Sequence, residues 1–135
     1  MTQGGFEATT RQVRVLVEAQ FLPDQSNPDE SEYVWAYRVQ IENHGVTPVQ
    51  LVSRTWRITD ATGRVLVVQG EGVVGEQPVL GPGEAFEYTS GTPLATPSGF
   101  MAGEYHMVAP DTGERFDVSI PAFSLDSPHA HRSLH

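Results

Sequence analysis

Apolar and polar residues alternate along several short stretches of this chain, which is the pattern of β-strands with one buried face. The clearest alternation has aromatic and branched side chains on one face, at Tyr33, Trp35, Tyr37, Val39 and Ile41. The same period of two recurs over residues 12–22, 49–59 and 115–120. These stretches are predicted strands. The aromatic face is predicted to fill the core rather than to form a ligand-binding stripe.

Shorter apolar runs, bounded by turn residues, complete the pattern at 64–69, 84–89 and 103–108. About seven short strands separated by turns predict an all-β domain, a two-sheet sandwich of immunoglobulin or fibronectin type III-like architecture. The stretch at 91–99 is predicted to be irregular because it contains prolines. The predicted domain covers residues 12–125, between a flexible N-terminal tail at 1–11 and a flexible C-terminal tail at 126–135.

Composition and charge exclude several partners. The 135 residues include 17 Asp and Glu against eight Arg and no Lys, which gives a formal charge of −9. Such an acidic chain repels nucleic acids and anionic membrane surfaces, so neither is a predicted partner. No apolar run approaches the roughly 20 residues of a membrane span, and the first residues lack the parts of a signal peptide. A cytoplasmic location is predicted.

The inventory of reactive groups does not predict an enzyme. Without Cys or Lys there is no thiolate, cysteine zinc site, Schiff base or Walker lysine. His44 and His106 have no Ser or Asp at a telling offset, so no catalytic residue is assigned. His129 and His131 in the C-terminal tail could hold a transition metal loosely. A polar tail is the favoured interpretation, and no metal site or cofactor is predicted.

One stretch has the spacing G-x-G-x-x-G, and it follows the apolar run at 65–68. This candidate binding loop comprises Gly70, Glu71, Gly72, Val73, Val74 and Gly75. A phosphate cradle of this kind needs a helix after its last glycine, whereas two prolines and two further glycines follow between 78 and 83. Loop amides alone can nevertheless hold an anion.

Two interpretations of the glycine loop therefore stay open. In the first, it binds a nucleotide or pyrophosphate, with Arg54, Arg57 and Arg64 as the possible anion partners. In the second, which the acidic residues inside the loop favour, the glycines permit a bend in the chain. Val73 and Val74 between the glycines are then candidate contacts for a protein partner, since apolar side chains anchor interfaces.

Several longer segments resemble the ApaG family, over roughly residues 10–125. The matching segments are Arg54-Thr-Trp-Arg-Ile-Thr-Asp60, Gly70-Glu-Gly-Val-Val-Gly-Glu-Gln-Pro78, Leu80-Gly-Pro-Gly-Glu84, Phe86-Glu-Tyr-Thr-Ser-Gly91, Thr96-Pro-Ser-Gly99, Met101-Ala-Gly-Glu-Tyr-His-Met107 and Ile120-Pro-Ala-Phe-Ser-Leu125. The resemblance implies a fibronectin-type sandwich without an established enzyme activity. It also implies an indirect link to cobalt resistance and magnesium efflux, and a proposed affinity for nucleotides or pyrophosphate. The function predicted here is a non-enzymatic binding module that recognises an unknown protein partner.

Overall fold

The structure, a computed structural model, describes residues 5–133. Two antiparallel sheets pack as a sandwich, so the all-β prediction is confirmed, with nine strands in the described part instead of about seven. The strands are β1 (Phe6–Thr10), β2 (Val13–Phe21), β3 (Tyr33–Asn43), β4 (Val49–Asp60), β5 (Val65–Glu71), β6 (Val79–Leu80), β7 (Ala85–Leu94), β8 (Ser98–Ala109) and β9 (Glu114–Asp126). Short 3₁₀ segments lie at Pro23–Gln25, Pro28–Glu30 and Pro128–Ser133.

The two sheets differ in strand order. One sheet has the order β1-β2-β3-β7, and the other has the order β5-β4-β8-β9. The short strand β6 pairs with β4 beyond the end of β5, on the half of β4 that β5 does not reach. After β4 the chain turns back and pairs with it as β5. It then forms the glycine loop and pairs with the remaining part of β4 as β6.

The core lies between the sheets and is filled by the faces that the alternation predicted. Every second residue from Val13 to Phe21 and from Tyr33 to Ile41 is buried. Trp35 is fully buried, and its indole N–H donates to the carbonyl oxygen of Asp126 at 3.2 Å. Phe21 packs edge-on against it with ring centroids 5.3 Å apart. The aromatic face of β3 is thus core, as predicted.

The prediction of a flexible tail through residue 11 is wrong for residues 6–10, which form β1 and pair with β2. Arg11 and Gln12 both have positive φ, at 49° and 67°, and make the tight turn that folds β1 back. Phe6 then packs near Phe123, with ring centroids 6.4 Å apart. A short segment with one large apolar residue shows little alternation, which is why the pattern did not reveal this strand.

The prediction of a flexible tail from residue 126 is wrong for the described residues as well. Asp126 ends β9, and Ser127 is buried, with its N–H and hydroxyl both donating to the carbonyl of Pro97. The ring of His129 lies 6.0 Å from that of Phe21 and 5.8 Å from that of Tyr33. These contacts fix the segment against the sandwich. Residues 1–4, residues 134–135 and the side chain of His131 lie outside the described part.

The stretch at 91–99 is also more regular than predicted. Residues 91–94 complete β7, and β8 begins at Ser98. Pro93 is compatible with this strand because β7 is the edge of its sheet, where a missing N–H breaks no pairing. In β4 a register shift between Leu51 and Ser53 moves the buried face by one residue, so Leu51 rather than Val52 is in the core.

One side of the sandwich is closed and the other is open. At the closed side the edge strands β1 and β9 meet. There the N–H of Ser119 donates to the hydroxyl of Thr10 at 3.2 Å, and Arg11 pairs with Glu114 at 3.0 Å. At the opposite side the edge strands are β5 and β7. A cleft opens between them, and the glycine loop lies at one end of it.

Candidate functional site

Strand β5 is an edge strand with an exposed run of apolar side chains. Val65, Leu66, Val67 and Val68 are 52%, 61%, 54% and 37% exposed. The turn before the strand is held by Asp60, whose carboxylate accepts hydrogen bonds from the N–H and hydroxyl of Thr62 and from the N–H of Arg64. The Thr62 hydroxyl contributes most to holding the pKa of Asp60 below its usual range. A rigid turn therefore presents an uncovered apolar edge, which is a template for another strand.

The hydrogen bonds with β4 show which main-chain groups of β5 are free. The N–H of Asp60 donates to Arg64, and the N–H of Gly72 donates to Val52, at 3.0 and 2.8 Å. Bonded pairs alternate along an antiparallel ladder, so the even-numbered residues of β5 bond to β4. The N–H and C=O groups of Val65, Val67 and Gln69 therefore point to the open edge.

The cleft between β5 and β7 has a volume of about 420 Å³, within the range of ligand pockets. Its exposed rim is apolar and includes Leu66, Val68, Val74 and Pro93. Its deeper wall consists of core side chains, among them Trp56. An apolar cleft that continues into an open sheet edge can hold the side chains of a strand added to that edge.

Three tyrosines place hydroxyl groups at or behind the deep end of this cleft. Tyr37 and Tyr88 line it, and the hydroxyls of Tyr88 and Tyr105 are 2.5 Å apart. Burial raises the pKa of each tyrosine, and raises it most for Tyr88 and Tyr105. The positive charge of Arg54 acts in the opposite direction on all three pKa values.

Arg54 links the cleft to the glycine loop. Its Nη1 donates to the carbonyl oxygens of Glu71 at 3.2 Å and of Gly72 at 2.5 Å. A Cβ atom on Gly70 would lie 2.9 Å from that same nitrogen, so a larger residue would displace the guanidinium where it crosses β5. The loop thus directs carbonyl groups at a cation. This polarity is the reverse of a phosphate cradle, which directs N–H groups at an anion.

Several main-chain N–H groups in and beside the loop are engaged within the fold. The N–H of Gly72 donates to Val52, and Val73 and Glu76 exchange two main-chain hydrogen bonds of 2.8 and 2.9 Å. Val74 and Gly75, with φ of 43° and 82°, are the two central residues of this tight turn. The strand β6 follows rather than a helix. This geometry favours the interpretation in which the glycines permit a bend.

The two valines of the loop face opposite ways. Val73 is fully buried in the core, whereas Val74 is 55% exposed and lines the cleft. The backbone of Val74 is strained, because a β-branched residue rarely adopts positive φ. Of the candidate loop residues, Val74 is therefore the side chain that is both exposed and adjacent to the cleft.

The three predicted anion partners do not come together. Arg57 pairs with Glu104 across the sheet. Arg64 precedes β5 at the end away from the loop, roughly 20 Å from Gly70 at about 3.3 Å per residue. Arg54 alone of the three lies in the cleft. The sequence alone could not show which of the three arginines lies beside the glycine loop. That position depends on the register of β4 with β5, which pairs Arg54 with Gly70.

His106 forms hydrogen bonds with two side chains that are distant from it in the sequence. Its Nε2 lies 2.8 Å from the hydroxyl of Thr55, and its Nδ1 lies 2.8 Å from a carboxylate oxygen of Asp117. The hydroxyl, imidazole and carboxylate follow the order of a catalytic triad. Thr55, however, is only 8% exposed, so its hydroxyl is poorly placed as a nucleophile. The arrangement supplies a cross-strand link between β4, β8 and β9. His44 is exposed and bonds to Glu42.

Among residues whose positions are described, there is no group of three or more His, Cys, Asp or Glu arranged to hold a metal ion. In the same part of the chain, no helix is long and apolar enough to cross a membrane.

By fold and site the chain is a β-sandwich protein whose open side combines an apolar edge strand with an arginine-containing cleft. Its residues 23–109 match the model of the ApaG domain, and the chain belongs to the ApaG family. It is 62% identical to Protein ApaG of Parvibaculum lavamentivorans over 130 residues, covering 96% of this chain and 99% of the relative. It is 63% identical to Protein ApaG of Rhodospirillum centenum over 124 residues, covering 92% and 95%.

Solved structures show the same relationship. The crystal structure of an ApaA protein from Bordetella pertussis matches with a TM-score of 0.83 and 51% identity, covering 86% of this chain and 94% of that one. The C-terminal domain of wzt matches with a TM-score of 0.53 at 12% identity, covering 91% and 77%, which shows a shared fold alone.

Proposed function

We propose that this member of the ApaG family is a non-enzymatic module that recognises a partner protein through the free edge of β5. The observation that carries the proposal is the run of four exposed apolar residues on an edge strand, Val65–Val68. Natural edge strands are normally protected by charge, proline or a covering element. Pairing with a partner strand would cover this edge and satisfy its main-chain groups.

Two finer expectations belong to this proposal. An indirect contribution to cobalt resistance and magnesium efflux is implied by the family resemblance alone. A cytoplasmic location is a prediction from the sequence.

Nucleotide or pyrophosphate binding at Gly70–Gly75 is not favoured. The N–H groups of Gly72 and Val73 are engaged in main-chain hydrogen bonds, and the carbonyls of Glu71 and Gly72 accept from Arg54.

The variant Val67→Pro tests the proposal with little disturbance of the fold. The N–H of Val67 points to the free edge, so proline removes a donor that β4 does not use. The tagged parent and the variant are used to capture partners from an extract of the native cells. Val46→Ser is the matched control, since Val46 is 87% exposed in the turn between β3 and β4.

The parent and Val46→Ser are expected to capture the same partner, and Val67→Pro is expected to lose it while melting as a folded protein. Equal capture by a folded Val67→Pro would place the interface elsewhere. A parent that captures no partner would overturn the proposed function.

A further inference from the structure

We propose that the partner strand pairs antiparallel to β5 and inserts an acidic side chain beside Arg54. The recognised segment then has the pattern acidic–any–apolar–any–apolar. This inference rests on the proposed function, and it adds the chemistry of the partner and the residue that reads it.

The position of the acidic residue follows from the geometry of β5. Leu66 and Val68 line the cleft, so the even-numbered residues face inward, and Gly70 is the next in that series. The guanidinium of Arg54 lies over Gly70, where a Cβ would be 2.9 Å from Nη1. Directly opposed residues on antiparallel strands have Cβ atoms about 4.5–5.5 Å apart. A side chain opposite Gly70 therefore comes directly beside the guanidinium.

The charge of Arg54 selects an anionic group. Within residues 5–133, Arg11, Arg14, Arg38 and Arg57 each pair with a carboxylate, whereas Arg54 has no such partner. Its contacts are with neutral carbonyl oxygens, which hold the guanidinium in place without neutralising its charge. A carboxylate is the planar anion that a guanidinium binds best in a partly desolvated cleft.

The apolar positions of the pattern follow from the same register. An antiparallel strand that starts opposite Gly70 continues opposite Val68 and then Leu66. These two side chains are 37% and 61% exposed, and apolar residues facing them would cover both. The antiparallel direction matches every strand pair of both sheets. It also lets Val67 and Gln69 exchange both hydrogen bonds with opposed residues.

A second copy of this chain does not fit the pattern. The inward residues of β5 are Leu66, Val68 and Gly70, and none is acidic. The acidic residue of β5, Glu71, is odd-numbered and lines the opposite face together with Ser53 and His106. Edge-to-edge pairing of two β5 strands would leave Arg54 without a carboxylate.

The test uses two labelled synthetic peptides and fluorescence anisotropy. The Glu peptide is Thr-Glu-Thr-Val-Thr-Val-Thr, and the Gln peptide replaces its glutamate by glutamine. The parent is expected to bind the Glu peptide at least about 10-fold more tightly, which corresponds to one charge-assisted hydrogen bond. This ratio should fall to near one in Arg54→Met, and both peptides should bind at least about 10-fold more weakly to Val67→Pro.

Equal affinity of the parent for both peptides overturns the inference, as does a Glu preference that persists in a folded Arg54→Met. If Arg54→Met fails to fold, the parent is measured again at about 0.5 M salt, which screens the charge of Arg54. A ratio of Glu-peptide to Gln-peptide affinity that stays unchanged there overturns the inference. Unchanged binding by Val67→Pro overturns the strand pairing, and a dimer that Val67→Pro abolishes favours a second copy. The capture experiment decides the proposed function separately, because it needs no acidic residue in the partner.

Discussion

Replacing Val74 by asparagine should stabilise the protein, although valine is the more apolar residue. Val74 has a φ of 43° in the tight turn between Val73 and Glu76. The left-handed conformation costs a residue with a Cβ about 1–2 kcal/mol, and Asn followed by Gly is the favoured pair for such a turn. Because the side chain is 55% exposed, less than half of the free energy of burying a valine is lost on replacement, which is about 0.7 kcal/mol.

The free energy of unfolding should therefore rise by about 0.5–1 kcal/mol, which shifts Tm upward by about 2–4 °C for a chain of this size. Urea denaturation and thermal melts measure the change. Val46→Asn is the control, because Val46 is exposed without a positive φ, and its effect should stay within about 0.5 kcal/mol. A Val74→Asn variant no more stable than the parent would refute the assignment of strain to this residue. Val74 lines the cleft, so the stabilised variant should also capture less partner.

Three further predictions concern the core and the buried hydroxyls. Val73→Asp should destabilise the fold by several kcal/mol through an unpaired buried charge, whereas Val74→Asp should not destabilise it; equal melts would contradict the opposite orientations of the two side chains. Trp35→Ala should cost about 3–5 kcal/mol by leaving a cavity, and a variant as stable as the parent would contradict its place in the core. Burial raises the pKa of Tyr88 and Tyr105 in the folded protein, so on raising the pH the unfolded chain loses these protons first. The free energy of unfolding should therefore be highest below about pH 10 and should fall as the pH rises above it. Urea denaturation at pH 9 and 11 should show a loss of stability between the two pH values that is smaller by about 1.4 kcal/mol in Tyr88→Phe, and an unchanged loss would contradict the argument.

The strands β3 and β9 could be predicted because water contacts only one of their faces. The alternation in residues 33–41 and 115–120 reports that asymmetry directly, and both segments have the predicted face in the core. The strand β1 and the segment at 127–130 escaped prediction because their order depends on tertiary contacts. The turn at Arg11 and the bonds of Ser127 to Pro97 are not visible in a local pattern.

The candidate site was predicted less completely, for a related reason. A run such as Val65–Val68 has the same composition whether its strand is central or at an edge, so its exposure depends on the strand order. Arg54 was one of three candidate cations, and only the register of β4 with β5 places it over Gly70. The glycine spacing suggested a loop that binds an anion. In the structure the carbonyl groups of the loop point toward the arginine instead. The spacing of glycines does not determine which way the main-chain groups point.

Amide hydrogen exchange along β5, with and without the Glu peptide, tests recognition at this edge most directly. In the free protein the N–H groups of Val65, Val67 and Gln69 should exchange rapidly, whereas those of Leu66 and Val68, bonded to β4, should be protected. On saturation with the peptide, the three odd-numbered amides should become protected, because they then donate to the added strand. Rapid exchange of these three amides in the saturated complex would contradict the account.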